Sequence, residues 1–241
     1  MANPHIRPVS GVLLDVGGTL WPDRWPPDPA LQVHRLQATL PDLADATALA
    51  FLDRFASLAT EAEVDTYQDT QALIRCAASS ASLHVQADRF DAIRRAVCLP
   101  AAGRGELFPG ARELLATVRG LGLRCAVVSN ASVRAGEDYR QDFAGFGVAH
   151  LVDAFISSVD THVRKPDLRI FEAALRAIAC PAGAVVVVGN SEQNDIEPAR
   201  RLGARSIRVA IEEPPPAQTA ADRLATSLAE VARELALLLR Q

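Results

Sequence analysis

Four consecutive valines, Val185 to Val188, stand between Gly183 and Gly189. β-branched side chains crowd a helix and pack well on a pleated surface, so this run reads as a strand. Two weaker runs resemble it. Val12-Leu13-Leu14 ends in Asp15, and Cys125-Ala126-Val127-Val128 ends in Ser129-Asn130. Phe155 to Ser158 and Ser206 to Val209 read as further strands, the second of them as the last. Helical stretches separate the runs. Pro109-Gly110 opens one with Leu114, Leu115 and Val118 inward, and Phe171, Ala174, Leu175 and Ile178 form the stripe of another. A third runs from about Asp195 to Leu202 and stops at Gly203. Strands alternating with helices predict an α/β fold, a Rossmann-like parallel sheet.

One block breaks the alternation. From about Ala30 to Leu99 there is no β-branched run, and apolar residues such as Leu49, Leu52, Ala56 and Ala59 recur at helical spacing. Asp42 and Asp65-Thr66 mark helix starts or breaks inside it. A proline-rich loop, Trp21 to Pro29, leads in, and Pro100 to Gly105 leads out. The expected organisation is a sheet domain of residues 1–22 and 106–241, with a helical domain of residues 23–105 inserted after the first strand. After Pro214-Pro215-Pro216 the tail carries Leu224, Leu228, Val231 and Leu235 on one face, an amphipathic helix expected to dock on the core.

Composition narrows the partners. The 241 residues carry a net charge of −4, so no basic surface for nucleic acid or an anionic membrane is expected. No apolar run approaches the roughly 20 residues of a membrane span, and the N-terminus does not read as a signal peptide. Cys76, Cys98, Cys125 and Cys180 lack metal-ligand spacing and read as reduced thiols of a cytoplasmic protein, monomer or homodimer. Lys165 is the only lysine among 25 basic residues, so the other 24 are arginine. A compact ammonium on a flexible stem serves where a guanidinium does not fit against an oxyanion.

In a parallel sheet the C-terminal strand ends share one edge. That edge would gather Asp15, Ser129-Asn130 and Gly189-Asn190-Ser191, with Lys165 nearby. Together they suit phosphoryl transfer, with Asp15 as nucleophile, Ser129 and Asn130 on phosphate oxygens, Lys165 on the developing charge and Asp195 on Mg²⁺. Singly, these groups read more blandly: Ser129-Asn130 as a turn, Lys165-Pro166 as a surface loop, Asn194-Asp195 as a helix N-cap.

In this order the residues resemble the haloacid dehalogenase (HAD) superfamily. Asp15-Val16-Gly17-Gly18-Thr19 stands for its first motif, Ser129 for the second, Lys165-Pro166 for the third, and Gly189-Asn190-Ser191-Glu192-Gln193-Asn194-Asp195 for the fourth. The helical insert resembles the family's C1 cap, which sets substrate choice. The resemblance implies an Mg-dependent phosphatase acting on a small phosphorylated metabolite through an aspartyl-phosphate. Asp15, Ser129 and Lys165 would be catalytic, and Thr19 and Asn130 would bind substrate. Asp15, the Gly17 carbonyl, Asn190 and Asp195 would hold the metal.

Two positions depart from the family pattern. The general acid–base Asp is replaced by Gly17, and a second acidic position is Asn190. These departures keep two alternatives open: a catalytically degenerate binding protein, and a metal-independent 2-haloacid dehalogenase with Arg24 or Arg35 cradling a carboxylate or halide. A phosphonatase-like reaction would need a cap lysine, and the insert has none. Trp21 and Trp25 are expected to pack at the hinge rather than line the opening. His5, His34, His84, His150 and His162 are scattered and read as incidental, and the segment around Arg134 to Arg140 reads as a solvated helix.

Overall fold

The fold was examined in a computed structural model, which describes residues 8–23, 27–64 and 69–239, with only the backbone for 61–64. Arg24, Trp25, His5 and Asp65-Thr66 lie outside the described residues. Six strands form one sheet: β1 (Gly11–Leu14), β2 (Arg124–Ser129), β3 (Ala154–Ser157), β4 (Val185–Gly189), β5 (Arg205–Val209) and β6 (Arg223–Ala225). Every pairing is parallel, in the order β3-β2-β1-β4-β5-β6. β1 lies between β2 and β4, with Leu14 opposite both Val127 and Val188. That register brings Asp15, Ser129 and Gly189 out at the same edge.

Side-chain alternation splits the core into two layers. Val12, Leu14, Cys125 and Val127 face helices α5 (Ala111–Gly120), α6 (Gly136–Gly145) and α10 (Leu228–Leu238). Leu13, Ala126, Val128, Val185 and Val187 face α8 (Leu168–Ala177) and α9 (Glu197–Leu202), through Ile170, Phe171, Ala174 and Ala199. Leu228, Val231 and Leu235 of α10 are almost fully buried. Each contributes about 1.5–3 kcal/mol by leaving water, so the tail helix is an integral wall of the fold.

Helices α1 (Pro29–Thr39), α2 (Asp45–Val64), α3 (Thr70–Ser80) and α4 (Phe90–Val97) follow β1 and share their own apolar cluster, with Leu36, Phe51, Leu73, Ile74 and Ile93 at its centre. Asp28 caps α1 by accepting the Leu31 N–H at 3.0 Å, with Pro29 just inside the helix. Asp42 falls in the break between α1 and α2. The bundle touches the sheet domain through polar bonds. Thr70 Oγ1 donates to the Ser132 carbonyl at 2.8 Å, and Arg94 to the Val133 carbonyl at 2.7 Å.

Spacing alone leaves open which face of α2 turns inward, and other local expectations need correcting. The buried face of α2 is Ala48, Phe51, Leu52, Phe55 and Leu58, while Leu49 is exposed. The two Phe rings stack, and that aromatic area, larger than Leu49 offers, decides which way the helix rolls. Leu224 belongs to the short edge strand β6, not to the tail helix, so Ser206–Val209 is not the last strand. The helix placed from Asp195 begins instead as a π-helical turn, Glu192–Ile196, that runs into α9.

Candidate active site

The site is assembled at the C-terminal edge of β1, β2 and β4. Asp15 follows β1 directly, and its N–H still donates to the Val188 carbonyl at 2.9 Å, so the sheet holds its backbone. The chain then turns back on itself. The Val16 carbonyl accepts the N–H groups of Thr19, Leu20 and Trp21 at 3.1, 2.8 and 3.2 Å. Gly18 sits in the left-handed region at φ +67°, and a Cβ there would run into the Asn190 amide, so both backbone and space demand glycine. Gly17 does not have a left-handed φ.

Lys165 is the centre of charge. Its Nζ lies 2.6 Å from Asp15 Oδ1 and 2.7 Å from Asp195 Oδ1, with its side chain 3% exposed. Burial alone would lower the lysine pKa, but the two carboxylates outweigh it and hold it above the ordinary value, so the ammonium is permanent. Asp195 is pushed up to about 6, chiefly by burial; Lys165 opposes the rise and Asp15 adds to it. Its second oxygen, Oδ2, accepts the Ser191 N–H at 3.0 Å. Asp15 Oδ2 accepts the Thr19 hydroxyl at 2.9 Å. Both oxygens of Asp15 are therefore held, and its carboxylate plane is set before any ligand arrives.

Around this trio the expected residues take up distinct places. Ser129 is buried, its Oγ 2.7 Å from the Tyr139 hydroxyl. Burial pushes that phenol up to about 12, so it keeps its proton. Asn130, expected on a phosphate oxygen, is committed elsewhere. Its Oδ1 accepts the Lys165 N–H at 2.8 Å and its Nδ2 donates to the Lys165 carbonyl at 3.0 Å. The amide thus clamps the lysine backbone beside the cis Lys165–Pro166 bond. Thr19 likewise spends its hydroxyl on Asp15. The expected N-cap at Asn194 is supplied by Ser191, whose Oγ accepts the Asn194 N–H at 3.1 Å, because the π turn starts earlier.

Trp21 is buried and stacks on Tyr139 at 5.8 Å between centroids, as hinge packing requires. Arg134 lies over both rings, pairs with Asp142 and donates to the Leu99 carbonyl at 2.8 Å. It ties the strand leaving the helical bundle to the sheet domain. Arg35 donates to the Ala96 carbonyl at 3.0 Å and, with Arg134, lines a cleft of about 440 Å³ at the hinge rather than at Asp15. Two contributors were not singled out from the sequence. Tyr139 sits in a polar helix with no signal of its own. Ser158 brackets the backbone of Ala131, accepting its N–H at 2.9 Å and donating to its carbonyl at 3.0 Å.

Donor chemistry decides which metal the edge suits. Asp15 and Asp195 converge on one ammonium. Among the described residues no three His, Cys, Asp or Glu side chains converge as a metal cluster. Two carboxylates that converge on one point are the kind of oxygen donors that suit Mg²⁺, which keeps water and substrate phosphate in its shell.

The family model described as a haloacid dehalogenase-like hydrolase matches residues 9–203. Among curated proteins, the haloacid dehalogenase-like hydrolase domain-containing protein 3 of Xenopus laevis is 37% identical over 112 residues, 46% of this chain and 44% of that protein. Phosphoserine phosphatase of Thermus thermophilus is 32% identical over 106 residues, 44% of this chain and 41% of its own length. The match thus spans less than half of each of these relatives. Among solved structures, a 2-haloacid dehalogenase from Pseudomonas syringae superposes with a TM-score of 0.63 at 20% identity, over 95% of this chain and 99% of that one. A phosphatase from Thermococcus onnurineus gives 0.60 at 18% identity, over 94% and 98%. At such identities the likeness is one of fold.

Proposed function

Because the chain belongs to the haloacid dehalogenase-like hydrolases, we propose that it hydrolyses small phosphate monoesters through a phosphorylated Asp15. The observation that carries the reading is the fixed Asp15 carboxylate, oriented by Thr19 and Lys165 at the edge where Ser129 and Asp195 also emerge. An Asp15 oxygen attacks phosphorus in line with the ester oxygen, and the P–O ester bond breaks. Lys165 and the Ser129 hydroxyl take the phosphoryl oxygens, where charge builds up. With Tyr139, neutral throughout, as the donor of that pair, the serine O–H, now 3.4 Å from the Asn130 carbonyl, would turn to the substrate. Water then attacks the same phosphorus, releasing phosphate and restoring Asp15.

Asp15, Asp195, Asn190 and the Gly17 carbonyl would hold Mg²⁺, which when bound neutralises phosphate charge. With Asn for one acid, the site offers one negative charge fewer to the ion, so weak binding is expected. The bundle of residues 23–105 acts as the cap and carries substrate choice, and residues 1–22 and 106–241 act as the catalytic core. The phosphatase names among the relatives support this chemistry. The four free cysteines suit a reducing compartment, the cytoplasm.

The test is turnover of an aryl phosphate with Mg²⁺, beside EDTA-treated protein and the Asp15→Asn variant. Loss in both is expected. Equal rates with and without Asp15 would overturn the nucleophile. Halide release from a 2-halo acid without metal would instead favour the dehalogenase reading.

A further inference from the structure

Position 17 carries no side chain, yet the space beside it is filled. The turn after β1 brings Asp23 back over Gly17. Asp23 Oδ1 lies 2.7 Å from where a Cβ on Gly17 would stand, and Asp23 Cα lies 3.5 Å from the same point. That first distance is close to the separation of an aspartate's own Cβ from its carboxylate oxygens. The Asp23 oxygen therefore lies about as far from that point as an aspartate's own carboxylate oxygens lie from its Cβ.

Three observations make this more than a coincidence of packing. Gly17 is not in the left-handed region, so its backbone accepts a side chain, and the close contact there is with Asp23. A side chain at 17 would thus displace the Asp23 carboxylate from its present place. Next, the Asp23 carboxylate is uncommitted: among the described residues it makes no hydrogen bond or ion pair, so no structural task accounts for its placement. Finally, its backbone is pinned. The Asp23 N–H donates to Glu212 Oε2 at 3.2 Å, and the same oxygen lies 3.5 Å from the would-be Cβ of Gly18. Glu212, from the loop after β5, is a positioning residue that holds Asp23 over the site.

We propose that Asp23 is the catalytic acid–base of this site, delivered from the hinge loop into the space that glycine at position 17 leaves open. The inference rests on the phosphohydrolase reading. In the first step, as the bond from phosphorus to Asp15 forms and the ester P–O bond breaks, Asp23 gives its proton to the departing oxygen and an alcohol leaves. In the second, the Asp23 carboxylate takes a proton from water, the water oxygen bonds to phosphorus, and the bond to Asp15 breaks. Ester and water become alcohol and phosphate, and Asp23 regains in the second step the proton it gives in the first.

Leaving-group dependence tests the role directly. A p-nitrophenyl group departs without a proton and an alkyl alcohol does not. Asp23→Asn should therefore lower kcat/KM for an alkyl phosphate by roughly 10²-fold or more, and for p-nitrophenyl phosphate by under about 10-fold. With the aryl ester, slow hydrolysis of phospho-Asp15 should produce a burst of nitrophenol. Because Asp23 is exposed, the unfolding midpoint should not move. As a second arm, Gly17→Asp placed in Asp23→Ala should recover alkyl phosphate turnover relative to Asp23→Ala alone. Wild-type turnover of both esters with equal or no loss in Asp23→Asn, or no recovery in the double variant, would overturn the assignment alone. No turnover of either ester by the wild type would remove the phosphohydrolase reading and the assignment with it.

Discussion

Replacing Lys165 with methionine keeps all but the last atom of the side chain's length and removes the ammonium from between two carboxylates. At 2.6 and 2.7 Å, each attraction is worth about 6 kcal/mol at an effective dielectric of about 20. The fold cannot lose that much, because a stranded carboxylate takes up a proton instead. The ceiling is the cost of protonating an ordinary Asp at the working pH: about 4 kcal/mol at pH 7 and about 1.5 kcal/mol at pH 5. Asp195 is the group to protonate, since burial already raises it and Lys165 is the main influence holding it down. A carboxylate whose folded pKa lies above its unfolded value costs stability that is absent below the unfolded pKa and grows as pH rises toward the folded one. Asp195 already stands at about 6 in the wild type and so carries about 3 of those 4 kcal/mol at pH 7, so Lys165→Met should lose about 1–1.5 kcal/mol more at pH 7 and almost nothing more at pH 5. Urea unfolding in EDTA, followed by circular dichroism at both pH values, measures the two differences. No loss at pH 7, or a loss equal at both pH values, would refute the reasoning.

Three further outcomes are expected. Tyr139→Phe removes the 2.7 Å partner of Ser129 and should lower kcat/KM several-fold, consistent with one hydrogen bond of about 1 kcal/mol. As the phenol of Tyr139 is pushed up to about 12, the variant's pH profile should keep its shape; loss of a limb below pH ~9 would contradict this. Glu192 accepts from Thr219, Ala220 and Arg208, and these bonds, against a larger burial effect, hold its carboxyl below the usual range. Glu192→Gln should cost about 1 kcal/mol at neutral pH. A lowered folded pKa stabilises above the unfolded value and is lost as pH falls through the folded one, so chemical denaturation should find the gap closing in acid. Of the four free thiols, only Cys76 is exposed, and burial pushes Cys98 and Cys125 up to about 11 and about 12. A thiol reagent at pH ~8 should titrate one group rapidly in the native protein and all four in denaturant; rapid native reaction of a second would show the core to be open.

What the sequence disclosed follows the range over which each signal acts. β1, β2 and β4 are short apolar runs that end in polar residues, and a parallel sheet turns that linear pattern into a shared edge. Lys165 stood out by rarity. Asp23 did not, because its meaning comes from a turn that folds it back over Gly17, and in the sequence it is one residue of a proline-rich connection. Tyr139 was hidden for the same reason: its partner Ser129 is ten positions away on a different element. Asn130 was placed near the right atoms, but only the tertiary structure reveals that its side-chain amide meets the Lys165 backbone. β6 is three residues long and lies at the sheet edge, too brief for any alternation to register. Which face of α2 turns inward is not legible from spacing alone, because several apolar stripes run along that helix, and Phe51 and Phe55 stack on the buried one.

A chain whose one lysine is sealed inside its own reaction centre has an unusual chemical surface. Amine-directed reagents find no lysine side chain on the folded exterior, so coupling a dye, a cross-linker or a solid support through lysine reaches the interior or nothing. Side-chain acylation then becomes a direct count of opened molecules. Substrate or a bound anion that keeps the centre closed should slow it in proportion to occupancy, which turns a labelling rate into a binding measurement that needs no turnover.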